Sequence, residues 1–179
     1  MPTVKKRNTP LTVAEQDEFF DLHGHLAHRY TMLWTHKKRA QTPGLETCHL
    51  VCSLEASLVA CRVFMEFLGL GVTYTKAGEP QLAEKHDYYS ADGKTTDEVK
   101  VIDLRGTWAV LADIAPAERS ILERVYHMAH KSTAHLTYRA PFVDPASLVH
   151  DAIPVIDRLL RTNLYDVVGK QPTGHWYGP

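Results

Sequence analysis

One apolar stretch, Leu45–Leu68, constrains the fold of this chain more than any other feature. It is bounded by "QTPG" before and "GLG" after, and it is apolar nearly all round. A helix without a polar face has to lie at the centre of a core. Glu55, Arg62 and Glu66 share one stripe of it at spacings of seven and four, which predicts an internal or partner-facing ion pair. The three charges favour a buried core helix over a membrane span.

Apolar residues at helical spacing predict three more long helices, with the ranges Val13–Ala40, Pro116–Tyr138 and Pro145–Leu164. The first begins with the capping box "TVAE" at Thr12. The core helix should have Pro43 in its first turn, and Pro154 should kink or split the last helix. The predicted fold class is all-α: an antiparallel bundle of four main helices, the first two forming one helical hairpin and the last two another.

The rest of the chain lacks clear periodicity. Residues 1–12 are predicted to be a flexible N-terminal arm, residues 13–166 a single helical-bundle domain, and residues 167–179 a C-terminal tail. Between helices two and three lies a long irregular excursion, residues 72–105. Within and after this excursion the sequence predicts a short helix near Pro80–His86, an extended piece at "EVKVIDL" and a short helix at Thr107–Ile114.

Bulk properties exclude several classes of protein. The 179 residues are 44% hydrophobic and 23% charged, which is typical of a globular domain. The net charge is −1, so the chain lacks the net positive charge that favours binding to nucleic acid or to an acidic membrane surface. All three cysteines fall within one helical pattern, so they form no disulfide framework and indicate a reducing compartment. With no visible signal peptide, we expect a cytoplasmic protein without a membrane partner.

The stretch "VYHMAHKSTAHLTY", residues 125–138, is two-faced on a helical wheel. Apolar side chains gather on one side, and histidines crowd the other. His127, Lys131 and His135 follow one ridge at i, i+4 and i+8. A polar helix face is most often just solvated, so one interpretation is a non-catalytic interaction protein.

A second interpretation is a metal site. His127 and His130 have a spacing that aims two imidazoles at one ion, and Glu123 stands four residues before His127. "ETCH" adds a Glu-x-x-His pair, Glu46 and His49, which is the spacing of di-iron bundles. This interpretation predicts a zinc- or iron-binding four-helix bundle of the DinB-like or di-iron-like kind. A second Glu-x-x-His copy is missing from the sequence.

A third interpretation starts from "AHKSTAHLTY", which resembles the signature helix of HEPN-type bundles (higher eukaryotes and prokaryotes nucleotide-binding). That motif is an Arg, a polar residue and then a His after four to six positions. Here His130 stands at the Arg position, Lys131 at the polar position and His135 at the His position. Arg124 and His130, with five residues between them, give a second match to the spacing. Two further candidates for this site are Tyr138 and Arg139.

The resemblance implies a bundle of helices, often a homodimer, that cleaves or binds RNA without a metal or other cofactor. In such a site the His acts as acid or base, and the Arg stabilises charge on the phosphate. His130 and Lys131 replace that Arg with an imidazole and a point charge, so the motif is degenerate. The resemblance therefore implies a divergent endoribonuclease or RNA-binding protein of a prokaryotic defence or toxin–antitoxin system, with a cognate antitoxin protein as a partner.

Overall fold

The computed structural model describes residues 11–86, 99–130 and 144–173. These residues are mainly α-helical, with one small β-hairpin. The helices are α1 (Val13–Glu18), α2 (His25–Arg39), α3 (Thr47–Phe67), α4 (Pro116–Met128), α5 (Pro145–Leu160) and the single turn α6 (Asp166–Val168). The two strands of the hairpin are β1 (Leu70–Tyr74) and β2 (Pro80–Glu84).

The first predicted helix is two helices. Its start is confirmed, because the Thr12 hydroxyl accepts the Glu15 amide and the Glu15 carboxylate accepts the Thr12 amide at 2.7 Å. Its continuity is wrong, since the chain turns between Glu18 and His25. The turn is built around Gly24, where an added Cβ would lie 2.4 Å from the Glu18 carbonyl oxygen. Only glycine allows the backbone to approach itself so closely.

Helix α3 begins later than its proline predicts. Gly44 has a φ of 74°, in the left-handed region, so the helix cannot pass through it. Glu46 is the N-cap instead, and the helix then runs for 21 residues. By length and composition alone α3 could cross a membrane. In this fold one of its faces is buried against α2 and α5, while residues near its start such as Val51 are exposed, so the helix is less central than its sequence predicts.

A β-hairpin replaces the predicted irregular start of the excursion. β1 and β2 pair antiparallel, with Leu70 opposite Glu84 and Tyr74 opposite Pro80. The turn between them contains Gly78 at a φ of 82°, and its amide donates to the Thr75 carbonyl at 2.9 Å. A glycine in this left-handed conformation is typical of three-residue hairpin loops. The short helix predicted near Pro80–His86 is therefore wrong.

Two smaller expectations are also wrong. "EVKVIDL" is not extended along its length, because Val101–Leu104 forms one 3₁₀ turn. The short helix predicted at Thr107–Ile114 reduces to the 3₁₀ turn Leu111–Asp113. Both segments contain a single turn of 3₁₀-helix, which is the usual length of this tighter helix in a connecting segment.

The third and fourth predicted helices begin where proline and capping residues indicate. Pro116 opens α4, and Asp144 caps α5 by accepting the Ala146 amide at 3.1 Å. Pro154 does not split α5, which is one helix from Pro145 to Leu160. A π-helical turn, Arg161–Tyr165, then carries the chain into α6. The part of the third helix predicted beyond His130 lies outside the described residues.

The core lies between α2, α3, α4 and α5. Tyr30 on α2 donates a hydrogen bond to Asp157 on α5, and the rings of His36 and His150 join the same two helices further along. These contacts show that α2 and α5 run in opposite directions. On α3, the Ser57 hydroxyl bridges the Met32 carbonyl and the His36 amide of α2, so α2 and α3 form the predicted helical hairpin.

Candidate functional site

The histidine-rich side of α4 is the first candidate surface. Arg124 is exposed, while Glu123, His127 and His130 are half-buried. The remaining candidates from the sequence lie outside the described residues; they are Lys131, His135, Tyr138 and Arg139. The structure therefore places the first residue of the predicted ridge, His127, and both residues of the Arg124–His130 spacing.

His127 is held by the β-hairpin. Its Nδ1 lies 3.2 Å from the Tyr74 hydroxyl, and the two rings meet edge to face with centroids 5.7 Å apart. Tyr74 is 45% exposed, so the pair lies at the surface. With the phenol donating, the imidazole carries its proton on Nε2. Tyr74 was not a candidate from the sequence, because it is 53 residues from His127.

Glu123 has a structural partner. Its Oε1 accepts the backbone amide of Leu82 on β2 at 2.9 Å. The metal interpretation paired this carboxylate with His127 on the same helix, one turn away. In the structure this hydrogen bond to Glu123 joins α4 to the hairpin instead.

The Glu-x-x-His pair gains a third donor. Ligand atoms of Glu46, Cys48 and His49 all lie within 4.8 Å of one another, and all three side chains are exposed. The Cys48 thiol lies 3.5 Å from Glu46 Oε2. Within residues 11–86, 99–130 and 144–173 this is the only group of three or more such donors, and it contains neither His127 nor His130. The metal candidates of α3 and α4 are therefore not brought into one described cluster.

The ion pair predicted on α3 forms between Arg62 and Glu66, while Glu55 is exposed. Arg62 Nε donates to Glu66 Oε1 at 2.8 Å, and the Tyr126 hydroxyl of α4 donates to the same oxygen at 2.8 Å. The Arg62 guanidinium also lies over the Tyr126 ring, 5.6 Å from its centroid. Burial, and then the hydrogen bond to Glu66, raise the pKa of Tyr126 above its ordinary value. This hydroxyl is a fixed donor at neutral pH.

A cavity of about 480 Å³ opens beside this network, between α2, α3 and the chain at Val99–Lys100. Its lining combines apolar side chains with the charged groups of Arg29, Glu66 and Lys100. Sequence reasoning did not find it, because its residues come from three separate segments with no shared spacing.

A second pair of histidines lies where α2, α3 and α5 meet, with His36 buried and His150 half-buried. His36 Nδ1 lies 3.2 Å from the Ser53 hydroxyl, and the His36 and His150 rings have centroids 5.2 Å apart. His150 Nε2 is buried without a hydrogen-bond partner among the described residues. Burial, and then the electrostatic effects of His36 and Lys37, lower the pKa of His150 below its ordinary value. The arrangement keeps His150 neutral inside the helix packing, which indicates a structural part.

In the part of the chain that the structure describes, the candidate sites are the acid–base side chains on α4, the exposed cluster of Glu46, Cys48 and His49, and the cavity beside α2 and α3. Searches of protein-family models, of curated proteins and of solved structures find no match for this chain.

Proposed function

We propose that this protein is a divergent HEPN-like protein that acts on RNA without a metal, through the histidine-rich side of α4. The observation that carries the proposal is the Tyr74–His127 pair at the surface, because it orients the first residue of the histidine ridge. An oriented imidazole can take or give a proton near neutral pH, which is what cleavage of an RNA phosphodiester requires.

Positive charge near the imidazoles supports the same proposal. Arg124 is exposed on α4, six residues before His130. A guanidinium binds a phosphate through two parallel hydrogen bonds, whereas Lys131 offers only a point charge. In the proposed site Arg124 therefore holds the phosphate, and His130 and His135 move protons. The helical arrangement that goes with this proposal is the antiparallel four-helix bundle.

The proposal includes a homodimer across the α4 surface, a cytoplasmic location and a cognate antitoxin protein as the natural partner. A dimer would set two copies of the degenerate motif beside each other, so that each could supply charges the other lacks. Size-exclusion chromatography with light scattering tests this part directly: a monomer at micromolar concentration would contradict it.

The activity test uses fluorescent single-stranded RNA in EDTA, with the wild-type protein and the variants His135→Ala, His127→Ala and Arg124→Ala. General acid–base catalysis contributes about 10²- to 10⁴-fold, so His135→Ala should lower the cleavage rate by at least roughly that lower factor. His28→Ala is the matched control, because His28 is an exposed histidine on α2. It should cleave at the wild-type rate.

If RNA stays intact with the wild-type protein and every variant, the proposal that the protein cleaves RNA is refuted. Fluorescence anisotropy at several salt concentrations then tests binding, whose affinity should fall as salt rises because phosphate contacts release counterions. If RNA is neither cut nor bound, the protein is an interaction protein without RNA chemistry.

A second function is favoured by one observation, the cluster of Glu46, Cys48 and His49. We propose it as the binding site of the metal alternative, because thiolate, imidazole and carboxylate are all zinc ligands. Tag-free protein should bind one Zn²⁺ per chain in calorimetry, and Cys48→Ser with His49→Ala should abolish it while His28→Ala does not. Iron is tested in the same titration. No stoichiometric binding of either ion would refute this function.

A further inference from the structure

The cavity beside α2 and α3 has the dimensions of a small-molecule site. Its volume of about 480 Å³ falls within the range of about 300–1,000 Å³ typical of ligand pockets. Most of its wall is apolar and half of that wall is aromatic; the apolar members are Phe19, Leu26, Val63, Phe64, Phe67 and Val99. Such a wall fits the hydrocarbon or aromatic body of a ligand.

Two basic side chains interrupt the apolar wall. Lys100 is only 5% exposed, and its Nζ donates to the Glu66 carbonyl oxygen at 3.3 Å. Arg29 is half-buried, and its Nη1 lies 3.5 Å from the Met32 sulfur. A thioether is a weak acceptor, and Arg29 forms no ion pair among the described residues. Its guanidinium therefore keeps strong donors for an anion.

The one carboxylate in the cavity lining does not cancel the charge of Arg29. Glu66 Oε1 accepts hydrogen bonds from Arg62 and Tyr126, both at 2.8 Å. Arg62 and Tyr126 are not in the cavity lining, so the carboxylate is neutralised from its other side. The Arg29 guanidinium therefore keeps its positive charge at the cavity wall.

We propose that this cavity binds an organic anion with an aromatic or short aliphatic body, its anionic head held by Arg29 and its body against the phenylalanines. The inference is independent of RNA chemistry, because the residues of the cavity and those of the α4 surface do not overlap.

The test is calorimetric titration of the full chain with 4-phenylbutyrate and with its neutral amide, 4-phenylbutyramide. The carboxylate should bind, and the amide should bind about tenfold more weakly, because a charge-assisted hydrogen bond is lost. Arg29→Met should weaken binding of the carboxylate by a similar factor. Val63→Phe, which adds a ring to the wall and changes no charge, should reduce binding of both compounds.

Arg39→Met is the matched control, since Arg39 lies on the same helix but not in the cavity lining. It should bind like the wild type. Thermal melts of each variant separate loss of the site from loss of folding. Absence of 4-phenylbutyrate binding to the wild type would overturn the proposal. Equal binding of acid and amide, or of the wild type and Arg29→Met, would overturn the assignment of the anion site.

Discussion

The Arg62–Glu66–Tyr126 network yields the most quantitative prediction. Tyr126→Phe removes the hydroxyl that donates to Glu66 Oε1 at 2.8 Å and leaves the aromatic ring in place. The ring therefore keeps its packing and its position under the Arg62 guanidinium. The substitution isolates one hydrogen bond between α3 and α4.

The expected cost follows from the setting of this bond. A hydrogen bond to a charged group contributes about 1.5–3 kcal/mol to stability. The Glu66 side chain is 25% exposed and keeps its bond to Arg62, so the lower end applies. We expect the free energy of unfolding to fall by about 1.5 kcal/mol. For a chain of this size the melting temperature should fall by roughly 3–6 °C.

The assay is urea denaturation of the wild type, Tyr126→Phe, Arg62→Met and the double variant. Because both donors share one carboxylate oxygen, the two losses should not add, with an interaction energy of at least about 0.5 kcal/mol. Glu55→Gln is the control, since Glu55 is an exposed residue of α3 and its substitution should change stability by no more than about 0.5 kcal/mol. A Tyr126→Phe variant as stable as the wild type, or strictly additive losses, would refute the reasoning.

Three other expectations concern strain, protonation and thiol reactivity. Gly69→Ala should strongly destabilise the junction between α3 and the hairpin, because Gly69 has a φ of 80° and an added Cβ would lie 2.4 Å from the Trp108 ring. A melting temperature within 1 °C of the wild type, which corresponds to a change of only about 0.3 kcal/mol, would contradict this expectation. The pKa of His150 is lower in the folded protein than in the unfolded chain, so the unfolded chain takes up this proton at a higher pH. The free energy of unfolding should therefore be largest above the unfolded-state pKa of about 6.5 and decrease as the pH falls below it. In His150→Gln this decline, followed by urea denaturation at several pH values, should be smaller. Burial raises the pKa of Cys61 to about 12, so a maleimide should label the two exposed cysteines of α3 in the native protein and Cys61 only after unfolding.

The starts of α1, α4 and α5 were predictable because their signals are local. The capping box at Thr12 and the prolines at 116 and 145 lie within a few residues of the amides they serve. The break before His25 was not predictable from periodicity, because apolar spacing continues through it. The break depends on how closely the backbone carbonyls approach Gly24, and the spacing of apolar residues carries no information about that approach.

The hairpin was missed for a related reason. β1 and β2 are five residues each, and only one of the β2 side chains, that of Leu82, is buried. Such a strand has little alternation to detect, and its position is fixed by contacts with α4.

In the candidate sites, too, contacts within one helix were predictable from the sequence and contacts between separate elements were not. The Arg62–Glu66 pair was predicted because one turn of helix joins the two residues. Its third partner, Tyr126, comes from another helix and carried no signal. The same holds for Tyr74 beside His127, for His36 beside His150 and for the cavity. Each was visible only once the helices had packed.

The bond between Glu123 and the Leu82 amide also bears on solubility. In a two-stranded sheet both strands are edges, and an outward amide on an edge can pair with a strand of another molecule. The Glu123 carboxylate occupies that amide on β2 at 2.9 Å. Helix α4 thus covers the sheet edge with the same side that displays Arg124 and His127. A chain whose α4 is displaced would expose a histidine surface and an open strand together, so self-association would accompany any large rearrangement of this face.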